Sequence, residues 1–144
     1  MREILFRGKR VDNGKWVEGY LSKARLQGYE GNTLQPSIDH EKRGLMFTSV
    51  VIPETVGQYT GLKDKNGKMI FEGDIVTFED AEADCEGYCD NVFINTGKVK
   101  YDEDGMMFYF TNRITVNMDD LIGEDIEVIG NAYDNKELLE EDNV

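Results

Sequence analysis

Between Ile52 and Phe78 the chain reads IPETVGQYTGLKDKNGKMIFEGDIVTF, a stretch that admits little besides short strands joined by tight turns. Pro53 fixes its own φ and suits the first position of a helical turn, so Pro53-Glu54-Thr55-Val56 predicts a single turn that Gly57 can end. Lys65-Asn66-Gly67-Lys68 carries an Asn-Gly pair, which suits a type I′ turn because both central residues need positive φ. Met69-Ile70-Phe71 follows as an apolar run, Glu72-Gly73-Asp74 is a second turn signal, and Ile75-Val76-Thr77-Phe78 is β-branched and aromatic, hence a strand.

The rest of the chain extends this pattern. Strands are expected near Ile4–Phe6, Trp16–Leu21, Leu45–Val51, Ile75–Phe78, Lys98–Tyr101, Met106–Phe110 and Ile126–Ile129, with Val92-Phe93-Ile94 as a further short run. Asn13-Gly14 turns the first strand into the second. In Trp16–Leu21 the alternation puts Trp16, Glu18 and Tyr20 on one face and Val17, Gly19 and Leu21 on the other. Residues 22–43 are either a long loop or two irregular strands around Thr33-Leu34; a structureless run of that length is unusual, so some pairing is expected. Glu79 to Asp90 holds six acidic side chains in twelve residues and is expected to be a mobile loop. Asn135 to Glu141 is expected to form one or two helical turns capped by Asn135.

Two parts of the central stretch, Gln58-Tyr59-Thr60-Gly61-Leu62-Lys63-Asp64-Lys65-Asn66-Gly67 and Phe71-Glu72-Gly73-Asp74-Ile75-Val76, resemble the YopX family of phage and prophage proteins. The opening Met1-Arg2-Glu3-Ile4-Leu5-Phe6-Arg7-Gly8-Lys9 is similar to that family's start. Glu127-Val128-Ile129-Gly130-Asn131, then Tyr133 and Glu137-Leu138-Leu139, is similar to its end. The resemblance implies a phage-encoded, β-rich protein with a C-terminal SH3-like barrel. It brings no established activity and no catalytic residues.

A length of 144 residues suits one domain or two small ones. The division expected is an N-terminal β subdomain over 1–58 and an SH3-like barrel over 59–144, the latter carrying the acidic loop 79–90 and a short C-terminal tail; five short strands with tight turns fit a small closed barrel. No apolar run approaches the ~20 residues of a membrane helix, so no membrane association is expected. Arg2 and Glu3 directly after Met1 speak against a signal peptide, and two cysteines do not make a disulfide scaffold, so a cytoplasmic location is the expectation. The net charge of −13 is uneven: residues 1–52 carry nine Lys and Arg against six Asp and Glu, and residues 53–144 carry seven against twenty-three. Such asymmetry marks either two surfaces with different partners or an acidic surface that keeps the protein soluble.

Candidate chemistry is thin. Cys85 and Cys89 with His40 fall short of the four ligands of a zinc site, and the neighbouring carboxylates raise thiol pKa values, so free thiols are expected. His40 is the one histidine; Ser37 and Asp39 lie near it in sequence, but a surface loop is the better expectation. Asp119-Asp120 and Glu124-Asp125 could flank a metal, although they sit on one short turn. The basic residues Arg2, Arg7, Lys9, Arg10, Lys15, Lys23 and Arg25, interleaved with Trp16, Tyr20 and Tyr29, have the makings of a nucleic-acid surface. The overall acidity opposes it, and Trp16 and Tyr20 are expected in the core.

The fold expected is mainly β with little helix. The function expected is that of a non-catalytic accessory or protein-binding module of a phage. The alternatives are an acidic DNA mimic that inhibits a host nucleic-acid-binding protein and, less favoured, a metal-dependent enzyme built on Asp119 and Asp120. No catalytic, metal or cofactor residue is assigned and no cofactor is expected. The partner expected is a protein. A homo-oligomer is also expected, through free strand edges and the doubly apolar strand Met106–Phe110.

Overall fold

In a computed structural model the chain is mainly antiparallel β, described here for residues 3–25, 34–83, 89–104, 107–111, 116–117 and 126–140. It divides into two compact units, Met1–Gly61 and Leu62–Val144.

The first unit is built on β1 (Phe6–Lys9), β2 (Trp16–Arg25), β3 (Leu34–Lys42), β4 (Leu45–Val50) and β5 (Gly57–Lys63), the last running across the division. Their order is β4-β3-β2-β1-β5, each neighbouring pair antiparallel. The first strand lies at Phe6–Lys9 rather than Ile4–Phe6 because both edges of that stretch find partners: Phe6 lies opposite Gly19 in β2 and Gln58 in β5. Of the undecided region 22–43, residues 22–25 and 34–42 are strand, and 26–33 lie outside the described residues. β2 continues to Arg25, and β3 pairs Leu34 with Arg25 and Asp39 with Tyr20. The sheet curls at one end, where Arg10 bridges to Val51, Val11 N–H donates to Val50 O at 3.0 Å and Ile52 N–H donates to Lys9 O at 2.8 Å. Ile38 and Val51 are fully buried there. Pro53–Thr55 forms the expected single turn, of 3-10 type, and Lys9 N–H donates to the Thr55 hydroxyl at 2.9 Å.

β3 and β4 are joined by a two-residue loop, Arg43-Gly44, with φ of 54° and 77°. Positive φ at both positions is the type I′ signature. Arginine pays for αL geometry with roughly 1 kcal/mol that asparagine largely avoids. Arg43→Asn is therefore expected to raise stability by about 0.5–1 kcal/mol, and equilibrium urea unfolding measures it; a neutral or destabilising result would show that Arg43 makes a compensating contact.

The second unit contains β6 (Met69–Phe71), β7 (Asp74–Ala83), β8 (Cys89–Asp102), β9 (Met107–Thr111), β10 (Val116–Asn117) and β11 (Ile126–Asn131), with a short helix α1 (Glu137–Glu140). Five of these strands form the open order β10-β9-β8-β7-β11. The closed barrel expected in this half is not seen: among the described residues the end strands β10 and β11 do not pair with each other. Ile70, Val76, Phe78, Val99 and Ile126 make the core, with Leu62 and Val128 packed against it.

The acidic stretch is also not the loop expected. β7 runs through Glu79–Ala83 and the chain is back in a strand at Cys89, so only residues 84–88 fall outside the described part. Its partner segment supplies the reason. Glu79, Asp80 and Ala81 lie opposite Ile94, Phe93 and Val92, a run of strong strand formers that carries the hairpin outward. Near the C-terminus, the Asn135 side chain accepts from Asn131 N–H at 3.2 Å rather than from the helix it was expected to cap.

The Asn66-Gly67 turn is not of type I′ either. Gly67 has φ 79°, but Arg43 is the one non-glycine with positive φ among the described residues. Gly67 N–H donates to Asp64 O, Asp64 N–H donates to Lys68 O, and the Asp64 carboxylate accepts from Asn66 and Lys68 N–H, each at 2.8–2.9 Å. This is a three-residue hairpin with glycine in the bulge position, selected by an aspartate able to cap two backbone donors.

A candidate docking surface on the edge strand β4

β4 is the end strand of its sheet, and its residues are uncharged from Leu45 to Val50. Val51 N–H donates inward to Pro36 O, whereas Val50 O accepts from Val11 on the outer side. Strand alternation then points the backbone groups of Met46 and Thr48 outward as well. Among the described residues no strand pairs with this outer edge between Leu45 and Ser49. Leu45, Met46 and Phe47 are 63, 62 and 45 % exposed. Leu45 and Phe47 share one face, while Met46 lies on the other. An unpaired, uncharged edge with large apolar side chains on both faces is a template for strand addition, and proteins usually blunt such edges with charge or proline.

The neighbouring strand braces this edge. His40 lies opposite Phe47; their rings stack with centroids 6.0 Å apart, and His40 Nε2 is 3.0 Å from the Ser49 hydroxyl. On the other face the Thr48 hydroxyl donates to the Asp39 carboxylate at 2.6 Å. His40 is thus a half-buried strand residue rather than the loop residue expected. Ser37 and Asp39 alternate with it in β3, so they face the other way; Ser37 is fully buried and its hydroxyl lies 2.8 Å from that of Ser22. The three do not converge on one point.

The basic and aromatic residues of the N-terminal half are only partly brought together. Arg7 and Lys9 flank the Trp16 ring, at 4.8 and 5.7 Å from its centroid, and Arg7 is buried. Arg10 forms a two-pronged ion pair with Asp12, with contacts of 2.9 and 2.6 Å. Lys15 stands directly before β2 and Lys23 on the face opposite Trp16. Tyr20, expected in the core, is 57 % exposed. Arg2 and Tyr29 lie outside the described residues, as does the side chain of Arg25.

Asp119, Asp120, Glu124, Asp125 and Cys85 also lie outside the described residues, and Cys89 is described only as the first residue of β8. Among the described residues no group of three or more His, Cys, Asp and Glu side chains could hold a metal ion. Met106 is likewise outside; Met107–Thr111 pairs along its length with β8 on one edge, and on the other β10 pairs with Tyr109 and Phe110. No described helix is long and apolar enough to cross a membrane. The β4 edge could not be recognised from the residues alone, because edge position follows from sheet order.

These features define a two-unit, antiparallel β protein in which, among the described residues, the outer edge of β4 carries exposed apolar side chains and no pairing strand between Leu45 and Ser49. Residues 5–140 match the family model described as YopX protein, and the chain belongs to the YopX family. Among solved structures it is similar to protein EF1440 from Enterococcus faecalis, at 21 % identity and a TM-score of 0.52, covering 96 % of this chain and 99 % of that one. At that identity the likeness concerns the fold. No curated protein matches the chain.

Proposed function

We propose that this chain is a non-catalytic accessory protein of a phage or prophage that works in the host cytoplasm by docking a protein strand along β4. The observation that carries the reading is the uncharged outer edge of Leu45–Ser49, with Met46 and Thr48 backbone groups directed outward and apolar side chains exposed on both faces. Main-chain pairing supplies affinity in this mode, and the alternate side chains supply specificity. Membership of a family without an established activity agrees with an accessory role. The SH3-like relationship of the second unit belongs to the same proposal. Its support is five antiparallel strands with irregular register between Val128 and Gly130 and between Glu82 and Ala83, where bulges add the bend that such folds need.

Met46→Pro tests the reading. Proline removes one outward N–H and is tolerated on edge strands, so the fold is expected to survive. A tagged wild-type protein is expected to capture a partner from a lysate of the source cell that Met46→Pro, folded by circular dichroism, fails to capture. Equal capture by both proteins would refute docking along β4.

A further inference from the structure

We infer that the strand docked on β4 is the β4 of a second copy, paired antiparallel about a two-fold axis through Phe47. The inference rests on the docking reading above and names its partner.

The register follows from where the free edge begins and ends. At one end the chain leaves the strand through the Arg43-Gly44 turn. At the other, Val11 already occupies the outer side of Val50. The open run is therefore Leu45–Ser49, whose centre is Phe47. Met46 and Thr48 direct their backbone groups outward, and Phe47 directs its own toward β3. A two-fold axis at Phe47 consequently places Met46 of each copy opposite Thr48 of the other, as two hydrogen-bonded pairs. The two Phe47 residues meet in the non-hydrogen-bonded position, where opposed side chains come closest. Leu45 of each copy meets Ser49 of the other. Every outward backbone group of the run finds a partner, and no charged side chain faces another. Such self-complementarity is what a two-fold contact requires of a single surface.

Electrostatics favours this edge over those of the second unit. Residues 1–52 carry nine positive against six negative side chains, while residues 53–144 carry seven against twenty-three. Copies that meet through β4 join the mildly positive segment of each chain rather than the strongly acidic one. At the rim, the Arg43 turn of one copy is brought toward the Val11-Asp12 corner of the other, where Asp12 is exposed. Pairing over five residues gives a small contact, below about 1,200 Å², so a reversible dimer is expected with a midpoint on the order of 1–100 µM. The pairing would join the two sheets edge to edge, with both Phe47 rings at the centre of one face and both Met46 side chains on the other.

The experiment is sedimentation velocity in 0.15 M salt, roughly the physiological ionic strength, over a wide concentration series. Wild type is expected to pass from monomer to dimer. Phe47→Lys and Phe47→Glu, each alone, are expected to weaken dimerisation at least ~10-fold, because like charges then face each other across the axis; an equimolar mixture of the two is expected to dimerise again. Rescue on mixing requires position 47 of one copy to meet position 47 of the other. Amide exchange and circular dichroism establish that each variant is folded, and Met46→Pro, which keeps Phe47, is expected to dissociate the dimer independently. A wild type that stays monomeric at the highest concentration overturns the inference. So does a dimer indifferent to all three substitutions, or a mixture that fails to associate. If wild type is monomeric and still captures a lysate protein that Met46→Pro does not, the self-pairing falls while docking along β4 stands. If there is neither a dimer nor a β4-dependent capture, both fall.

Discussion

Asp64→Ala is expected to destabilise the second unit by about 3–5 kcal/mol, from the loss of several hydrogen bonds to a charged acceptor and the stranding of their donors. One carboxylate oxygen accepts from Asn66 and Lys68 N–H, at 2.9 Å each, and closes the turn between β5 and β6. The other accepts from Val128 N–H at 3.0 Å and ties that turn to β11, 64 residues further on. Lys65 N–H donates to Ile126 O alongside, and the Lys65–Glu127 ion pair at 2.9 Å is exposed and adds little. Burial pushes the Asp64 pKa up; the Val128, Lys68 and Asn66 N–H groups and the Lys68 charge push it down more strongly, and the net result lies below the usual 3.8. A depressed folded-state pKa stabilises the fold above the unfolded-state value, and that contribution is lost as pH falls through the folded value. Asp64→Asn keeps the size and removes the charge. The stability gap between wild type and Asp64→Asn is therefore expected to be full from pH 5 to 7, roughly a unit or more above the ordinary carboxylate pKa, and to shrink below pH ~4. Urea unfolding at several pH values reads this directly. A gap that stays constant down to pH ~2.5 would show that the carboxylate charge contributes nothing.

Turn chemistry explains which parts of the fold could be read from the residues. Strands rich in β-branched and aromatic residues, such as Trp16–Leu21 and Ile75–Phe78, stand where expected, because both their propensity and their alternation point to the same state. β3 was not legible: LQPSIDHEK has a proline and three charged residues, yet it lies between β2 and β4. Pro36 is tolerated because its position is where the β4 ladder ends. Ser37 opposite Val50 is the terminal pair, and Pro36 serves there as an acceptor for Val51 N–H. The Asn-Gly pair at 66–67 suggested a type I′ turn, but Asp64 captures the backbone donors and selects another, while the true type I′ turn hides in Arg43-Gly44. The candidate site was legible only as an apolar strand. That β4 is an edge and Met107–Thr111 is not depends on pairings between distant residues, and no local pattern encodes those.

The second large effect is expected at Gly19, where β2 crosses close to β3. A Cβ built on Gly19 would stand 2.1 Å from the Asp39 carbonyl oxygen, 3.0 Å from its carbon and 3.1 Å from Ile38 Cγ2. The first two of these are backbone atoms, so no rotamer change can relieve them. Gly19 sits opposite Phe6 on one side, and the next residue, Tyr20, is held opposite Asp39 on the other. Moving Asp39 would also disturb the Thr48 bond to its carboxylate and, through it, the position of β4. Overpacking of this kind costs typically 1–3 kcal/mol and more where the backbone itself must move. Gly19→Ala is accordingly expected to cost about 3 kcal/mol or more, a fall in Tm of more than about 10 °C for a unit of this size. Trimming the nearest side chain distinguishes backbone collision from ordinary crowding: Ile38→Ala removes Cγ2, and Gly19→Ala is expected to cost as much in that background as in the wild type, because the closest contacts, to the Asp39 backbone, remain. Thermal unfolding of the single and double variants decides the matter. A markedly smaller cost of Gly19→Ala in the Ile38→Ala background would place the collision at the side chain, and an unchanged Tm for Gly19→Ala would mean that β2 and β3 do not approach as closely as the register implies.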